Sequence, residues 1–188
     1  MNDMLQGMNV FLVGMMGAGK TSVGRLLARQ IGYGFCDTDA AIEAVARKTI
    51  NQIFADDGEE TFRQLETQVL SHVSAETKLT IATGGGIVMR PFNWSYLHYG
   101  LVIWLDAPVE VLVDRLREDT TRPLLREANP AQALQTILDK RQSLYAEADL
   151  RIRISSEDTL EQIVSRIIAE IPTVLKTPPS PPGAEESK

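Results

Sequence analysis

The chain has 188 residues, a length that suits one domain with a full hydrophobic core and leaves little room for a second. Its 19 basic and 25 acidic residues give a net charge of −6, so we expect neither a nucleic-acid nor a membrane partner. The single cysteine, Cys36, excludes an internal disulfide, and the two histidines offer no zinc-ligand spacing. These features favour a reducing cytoplasm, and a monomer is the expected state.

Short apolar runs alternate with helical patterns in the first half of the chain. Residues 9–13 (NVFLV) form an apolar run that ends at a glycine-rich loop, and apolar residues then recur at helical spacing from 23 to 31. A helix is expected over about 39–47, and a longer amphipathic helix contains 62–73. The first three predicted strands are therefore 9–13, a run that ends near Asp37, and 79–82.

The second half of the chain repeats this alternation. A strand over 101–105 (LVIWL) leads into a helix over 108–117. The polar segment 118–129 has no sustained period, which predicts a mobile lid loop. After a further helix, a strand near 150–154 precedes a helix with an apolar stripe between 160 and 171.

Five short, nearly continuous apolar strands separated by helices predict a parallel sheet that is covered on both faces. The predicted fold class is therefore α/β, a three-layer αβα domain over residues 1–172. From Thr173 onward the sequence is rich in proline and charged residues, which cannot form a core. Residues 173–188 are therefore predicted to be a disordered tail.

A phosphate-binding loop follows the first strand. Residues 14–21 (GMMGAGKT) match the P-loop pattern and stand between an apolar strand and an amphipathic helix, as its mechanism requires. Backbone N–H groups and the helix N-terminus would bind the phosphates, while Lys20 reaches the β and γ oxygens and Thr21 offers its hydroxyl to Mg²⁺. A plain glycine-rich turn is the weaker alternative. The predicted nucleotide-binding residues of this loop are Gly17, Ala18, Gly19, Lys20, Thr21 and Ser22.

Two aspartates follow the second strand at the edge of the sheet that faces the ligand crevice. Of Asp37 and Asp39, one carboxylate would hold a magnesium-bound water and the other would orient a substrate hydroxyl. The alternative for Asp39 is that it only caps the next helix.

Two arginines are candidates for binding an acceptor anion. Arg63 suits a carboxylate, although its spacing also allows a pair with Glu66 on a solvated helix surface. Arg141 lies on the apolar face of its own helix, so it needs either a structural carboxylate or a bound anion. Residues 84–86 (GGG) follow the third strand and would present backbone N–H groups to a substrate, unless they form only a flexible turn.

Two further arginines are candidates for the nucleotide side. Arg122 would close over the phosphates from the lid and offset charge on the transferred group, or it is an exposed loop residue. Arg115 would stack on the adenine or face solvent.

Taken together, these segments resemble the shikimate kinase family, over nearly all of the folded chain. The matching segments are GMMGAGKT at 14–21, DTD at 37–39, FRQLE at 62–66, GGG at 84–86, TRPLL at 121–125 and RQSLYAEAD at 141–149. The resemblance implies a nucleoside-monophosphate-kinase-like P-loop fold with sheet order 2-3-1-4-5, an order that the sequence alone does not give. Residues 155–158, where adenine contacts are expected, carry no motif that matches.

The resemblance also implies roles for the acceptor-side residues. Arg63 and Arg141 would hold the carboxylate of shikimate, and Asp39 would hold the hydroxyl that becomes phosphorylated. Residues 47–60 would form a mobile substrate-binding segment. The implied substrate-binding residues are Asp39, Arg63, Gly84, Gly85, Gly86 and Arg141.

On the nucleotide side, the resemblance implies that Lys20 and Arg122 contact the transferring phosphoryl group. Together with Asp39 they are the expected catalytic residues. Arg115 would lie along the adenine of ATP, and Asp37 would serve Mg²⁺ through water beside Thr21.

The implied reaction is in-line transfer of the γ-phosphoryl group of MgATP to the 3-hydroxyl of shikimate, in aromatic amino acid biosynthesis. A gluconate or nucleotide kinase of the same fold is the nearest rival, but Arg63 and Arg141 together with the DTD and GGG segments disfavour it. A non-catalytic nucleotide-binding module is the rival from another class. The intact lysine, threonine, aspartates and lid arginine argue against it, because a non-catalytic module does not need all of them together.

Overall fold

A computed structural model describes residues 5–117 and 129–175. The predicted lid lies outside the described residues apart from residue 129, and so does Arg122. Most of the predicted tail also falls outside this range. None of the helices in the described residues is long and apolar enough to cross a membrane.

Five strands of the described chain form one parallel sheet. Their order is β2-β3-β1-β4-β5, which confirms the order implied by the family resemblance. The central strand pairs with both neighbours, since Phe11 lies opposite Ile81 on one side and Val102 on the other. The strands are β1 (Val10–Val13), β2 (Gly34–Asp37), β3 (Leu79–Ala82), β4 (Leu101–Asp106) and β5 (Leu150–Arg153).

Helices connect the strands and cover both faces of the sheet, as the apolar strands predict. Strand β1 is buried along its whole length, which requires cover on both faces. In the described residues the helices are α1 (Lys20–Ile31), α2 (Thr38–Ala46), α3 (Ile50–Asp56), α4 (Gly58–Ser74), α5 (Pro91–Leu97), α6 (Val109–Leu116), α7 (Pro130–Tyr145) and α8 (Leu160–Val174). A short 3₁₀ turn, Ile87–Met89, precedes α5. The three-layer α/β prediction is confirmed.

Two short helices were not predicted. Helix α3 lies inside the segment 47–60 and begins with a capping box, in which Thr49 and Gln52 bond each other's backbone N–H groups. Helix α5 has Pro91 in its first turn, where a missing N–H costs nothing. Both have only seven residues, too few for a helical period to stand out.

Helix α8 extends past the predicted start of the tail. It continues to Val174 with Pro172 in its last turn, so the boundary at 172/173 falls two residues inside the helix. The apolar stripe extends into this last turn, since Ile171, the residue before the proline, is fully buried.

Two apolar clusters hold these layers together. The larger one lies between the sheet and its helices, and the smaller one consists of Ile42, Ile53, Phe62 and Val69. The smaller cluster joins α3 to α2 and α4 through the buried side chain of Ile53. It therefore packs α3, and with it the segment 47–60, against α2 and α4.

Candidate active site

Two adjoining cavities lie at the carboxyl ends of the strands, where open parallel sheets bind their ligands. One of about 250 Å³, the P-loop cavity, is lined by the P-loop, and the other, of about 560 Å³, lies beneath α3 and is called the acceptor cavity below. Met16, Asp39 and Gly85 line both cavities. A group bound in the first cavity would therefore meet a group bound in the second at these three residues.

The P-loop cavity is built by glycine backbone. Gly14 has a φ of 137°, and a β-carbon there would lie 2.5 Å from the carbonyl oxygen of Leu105. Only glycine fits this turn, which brings the loop back over the end of β1. Helix α1 then begins at Lys20, so its first N–H groups point toward the cavity, which the predicted residues Gly17, Gly19 and Ser22 also line.

The ammonium group of Lys20 lies inside this loop. It donates to the carbonyl oxygens of Gly14 and Met15, both at 2.8 Å, and the side chain is almost fully buried. A lysine at this position supplies a positive charge within a cavity of backbone donors. The arrangement suits a nucleotide polyphosphate.

Thr21 and Asp37 meet at the edge of the same cavity. The Thr21 hydroxyl donates to Asp37 Oδ2 at 2.7 Å, and Oδ1 of the same carboxylate accepts from the backbone N–H of Asp39 and Ala40. The residue that caps α2 is therefore Asp37 and not Asp39.

A hydroxyl and a carboxylate side by side are ligands that Mg²⁺ prefers, so the residues present fit the predicted metal. The described residues contain no group of three or more histidine, cysteine, aspartate or glutamate side chains that would hold a metal by themselves. Mg²⁺ keeps several waters and usually takes further oxygens from substrate phosphates. Thr21 and Asp37 would be the protein's part of such a site.

Asp39 lies in the first turn of α2 and faces both cavities. Its Oδ1 atom approaches Gly84 so closely that a β-carbon on Gly84 would lie 2.9 Å from it. This position, at the boundary between the P-loop cavity and the acceptor cavity, suits a group that orients a hydroxyl.

Arg63 forms the predicted pair with Glu66, but the pair does not lie on a solvated surface. Arg63 Nη1 is 2.8 Å from Glu66 Oε2, and the two side chains are only 15% and 0% exposed. Burial raises the pKa of Glu66, and the positive charge of Arg63 opposes this effect only in part. Arg63 also pairs with the exposed Glu59 at 3.3 Å. The guanidinium is thus fixed toward the acceptor cavity.

The three glycines pack against these charged side chains. Gly84 lies between the carboxylates of Glu66 and Asp39, and a β-carbon on Gly86 would collide with the guanidinium of Arg63. The segment is therefore a wall of the acceptor cavity rather than only a flexible turn.

Arg141 reaches the same cavity from α7. Its Nη1 atom donates to the carbonyl oxygen of Gly85 at 3.1 Å, so its partner is a backbone carbonyl, which neither sequence alternative had named. Tyr145, which was not predicted as a site residue, donates to the same carbonyl at 2.5 Å. Arg141 and Tyr145 are four residues apart, so they lie on the same face of α7. This spacing is the only sequence signal that could have indicated Tyr145 as a site residue.

Apolar side chains complete the acceptor cavity. They come mostly from α3 and the start of α4, within or next to the segment 47–60, and were not singled out from the sequence. These residues are Met16, Ile50, Phe54, Ala55 and Phe62, with Asn51 as a polar member. The rings of Phe54 and Phe62 contact each other, with centroids 4.7 Å apart and planes tilted by 33°. The cavity thus offers an apolar wall opposite two arginines, as a small carboxylated ring compound would require.

Arg115 is exposed and is also bonded to the P-loop. Its guanidinium donates to the carbonyl oxygen of Ala18 at 3.1 Å and to that of Gly17 at 3.4 Å. It also lines a third cavity, of about 810 Å³, together with Val109, Ile154 and Ser155. This cavity adjoins the P-loop through Arg115 and lies where an adenine is expected.

Comparison with known proteins agrees with this geometry. The family model for shikimate kinase matches residues 16–172. A shikimate kinase of Nostoc sp. is 56% identical over 176 residues, which cover 94% of this chain and 97% of the relative. A shikimate kinase of Microcystis aeruginosa is 56% identical over 172 residues, covering 92% of this chain and 90% of the relative.

Solved structures give the same result. A shikimate kinase from Acinetobacter baumannii in complex with shikimate superposes with a TM-score of 0.82 at 37% identity, covering 92% of this chain and 96% of that one. A gluconokinase from Sinorhizobium meliloti, with a TM-score of 0.54 at 16% identity over 90% of this chain and 94% of that one, shares the fold alone. The chain belongs to the shikimate kinase family.

Proposed function

We propose that this chain transfers the γ-phosphoryl group of MgATP to the 3-hydroxyl of shikimate, giving shikimate 3-phosphate and ADP. The observation that carries the proposal is the meeting of the two cavities at Asp39 and Gly85. A phosphate-binding loop lies on one side of this point and a two-arginine cavity on the other. We further propose that the enzyme works in the cytoplasm as a monomer.

The acceptor side accounts for recognition of a hydroxylated carboxylate. Arg63 and Arg141 both line the acceptor cavity and present guanidinium donors, which suit a carboxylate of the substrate. Asp39 would then accept a hydrogen bond from the reacting hydroxyl and hold its oxygen in line with the phosphate. The glycines 84–86 would let the cyclohexene ring of shikimate approach the backbone closely.

The phosphate side accounts for the transfer itself. Lys20 would move from the carbonyl oxygens it now contacts to the β and γ oxygens of ATP. Mg²⁺, held by Thr21 and through water by Asp37, would neutralise phosphate charge. Phosphoryl transfer has a loose transition state, so positioning and charge neutralisation matter more than a strong base. Asp39 is therefore proposed as an orienting group.

Three proposals concern the lid, the segment 47–60 and the adenine. Arg122, from a lid over 118–129, would contact the transferring phosphoryl group and exclude water. The segment 47–60, which contains α3, would close over shikimate as a unit. Arg115 would place the adenine in the cavity beside Val109 and Ile154.

A coupled ADP-release assay tests the proposed function. Purified protein with MgATP is given shikimate, gluconate or a nucleoside monophosphate as acceptor. We expect rapid ADP release with shikimate and only background release with the other two. Turnover with gluconate or the nucleotide would favour a different kinase of the same fold, and no turnover with any acceptor would favour a binding module.

A further inference from the structure

One backbone carbonyl in the site receives two side-chain donors. Tyr145 Oη lies 2.5 Å from the carbonyl oxygen of Gly85, and Arg141 Nη1 lies 3.1 Å from the same atom. Both donors come from α7, where residues four apart share one face. A carbonyl oxygen has two lone pairs, so it can accept both bonds at once.

Tyr145 is more deeply buried than Arg141. Its side chain is fully buried, and its ring stacks on Trp104 with centroids 5.8 Å apart. Arg151 covers Trp104 at 4.4 Å from the ring centroid and is itself bonded to Asp106. Burial raises the pKa of Tyr145, although the charge of Arg141 opposes the shift, so the phenol stays protonated as a donor.

Arg141, by contrast, lines the acceptor cavity and is only partly buried. If it turns its guanidinium toward a bound carboxylate, the Gly85 carbonyl loses one of its two donors. An inward-facing carbonyl left without any donor costs free energy comparable to a lost hydrogen bond. The hydroxyl of Tyr145 removes that cost, because it remains bonded to the carbonyl.

The carbonyl also belongs to a segment in contact with the P-loop. A β-carbon on Gly85 would lie 3.4 Å from both the Gly14 carbonyl oxygen and the Met16 backbone nitrogen. Movement of Gly85 would therefore disturb the boundary where the two cavities meet.

We propose that Tyr145 is a positioning residue for acceptor binding, which holds the Gly85 carbonyl so that Arg141 is free to bind the acceptor carboxylate. This inference rests on the proposed function of the site. Tyr145 does not touch the acceptor; it acts through Arg141 and the Gly85 backbone.

The variant Tyr145→Phe tests the inference, since it removes the hydroxyl and keeps the ring on Trp104. The KM for shikimate should rise about three- to tenfold, the range that one neutral hydrogen bond provides, while the KM for ATP and kcat change less than about twofold. The matched control is Tyr33→Phe, which removes the hydroxyl of another buried tyrosine, outside both cavities. It should leave all three constants unchanged.

A double-variant cycle separates this role from a merely structural one. In an Arg141→Ala background, Tyr145→Phe should change kcat/KM for shikimate by less than about twofold, because the residue through which it acts is gone. The same fold-change in both backgrounds would contradict the inference. So would a lowered melting temperature with an unchanged KM.

Wild-type turnover with shikimate is measured first and tests the proposed function separately. Absence of that turnover contradicts the proposed function. Turnover with equal shikimate KM values in wild type and Tyr145→Phe contradicts only the role of Tyr145.

Discussion

The hydroxyl of Thr21 donates to the carboxylate of Asp37 across 2.7 Å, so the first residue after the P-loop lysine is bonded to the end of β2. The two oxygens of Asp37 have separate tasks. Oδ2 faces Thr21, whereas Oδ1 accepts the N–H groups at the start of α2. One side chain thus supports both a helix and the proposed magnesium site.

Substitutions at Asp37 should separate these two tasks. Asn is as good a helix cap as Asp, so Asp37→Asn should keep its stability, whereas Asp37→Ala should lose about 1 kcal/mol of the free energy of unfolding. Both variants should need roughly tenfold more Mg²⁺ for half-maximal activity, because the carboxylate charge is gone. Chemical denaturation and Mg²⁺ titration of the activity measure the two effects. An unchanged Mg²⁺ requirement in Asp37→Asn would exclude the metal role.

Arg63→Ala should impair acceptor binding more than turnover. Loss of a charge-assisted contact to the shikimate carboxylate should raise the KM for shikimate at least about tenfold, with a smaller change in kcat. Steady-state kinetics with shikimate varied at saturating ATP give the measurement. Arg29→Ala, which changes an arginine in the last turn of α1, is the matched control and should behave as wild type. Unchanged shikimate kinetics in Arg63→Ala would rule out the assigned contact.

The stability of Arg63→Ala should depend on pH through Glu66. Burial already raises the pKa of Glu66 above its usual range, and removal of Arg63 takes away the charge that opposes this. A carboxyl whose pKa is raised in the folded state contributes stability below its unfolded pKa, and this contribution is lost as pH rises through the folded value. The variant should therefore be least stable, relative to wild type, near neutral pH and above.

Urea unfolding of wild type and Arg63→Ala at several pH values between about 4.5 and 8 measures this difference. The double variant Arg63→Ala with Glu66→Gln is the control, because the neutral amide cannot ionise. Its stability difference from wild type should vary less with pH. A deficit in Arg63→Ala that is constant across the range would mean that Glu66 is not the group responsible.

Arg115→Ala should weaken nucleotide binding selectively. The guanidinium holds the carbonyl oxygens of Ala18 and Gly17 and borders the expected adenine cavity, but it is exposed, so a rise of about three- to tenfold in the KM for ATP is expected. The KM for shikimate should stay within about twofold of wild type. The reverse pattern, with shikimate affected and ATP not, would show that Arg115 has been assigned to the wrong substrate.

Features that depend on neighbouring residues in the chain were predictable from the sequence. The strand 79–82 matches β3 at both ends, because a short apolar run bounded by polar residues leaves little choice of boundary. The P-loop was equally clear, since all its phosphate-binding groups come from one contiguous segment. Helices α3 and α5 were missed because seven residues hold fewer than two full turns of apolar spacing.

Features that depend on distant residues were only partly predictable. The spacing of Arg63 and Glu66 predicted their pair, but not that Glu66 would be fully buried beneath the acceptor cavity. The bond from Tyr145 to Gly85 joins residues 60 positions apart, so no local pattern indicates it. Such contacts are set by how α7 packs against the segment that follows β3, which only the folded chain reveals.

Identification of the reaction product tests the central claim most directly. Protein, MgATP and shikimate are incubated together, and the product is analysed by phosphorus and proton NMR. We predict a single phosphate ester on the 3-hydroxyl, formed in equal amount with ADP. An ester on another hydroxyl, or ADP formed without any phosphorylated shikimate, would contradict the proposed placement of the acceptor between Asp39 and the two arginines.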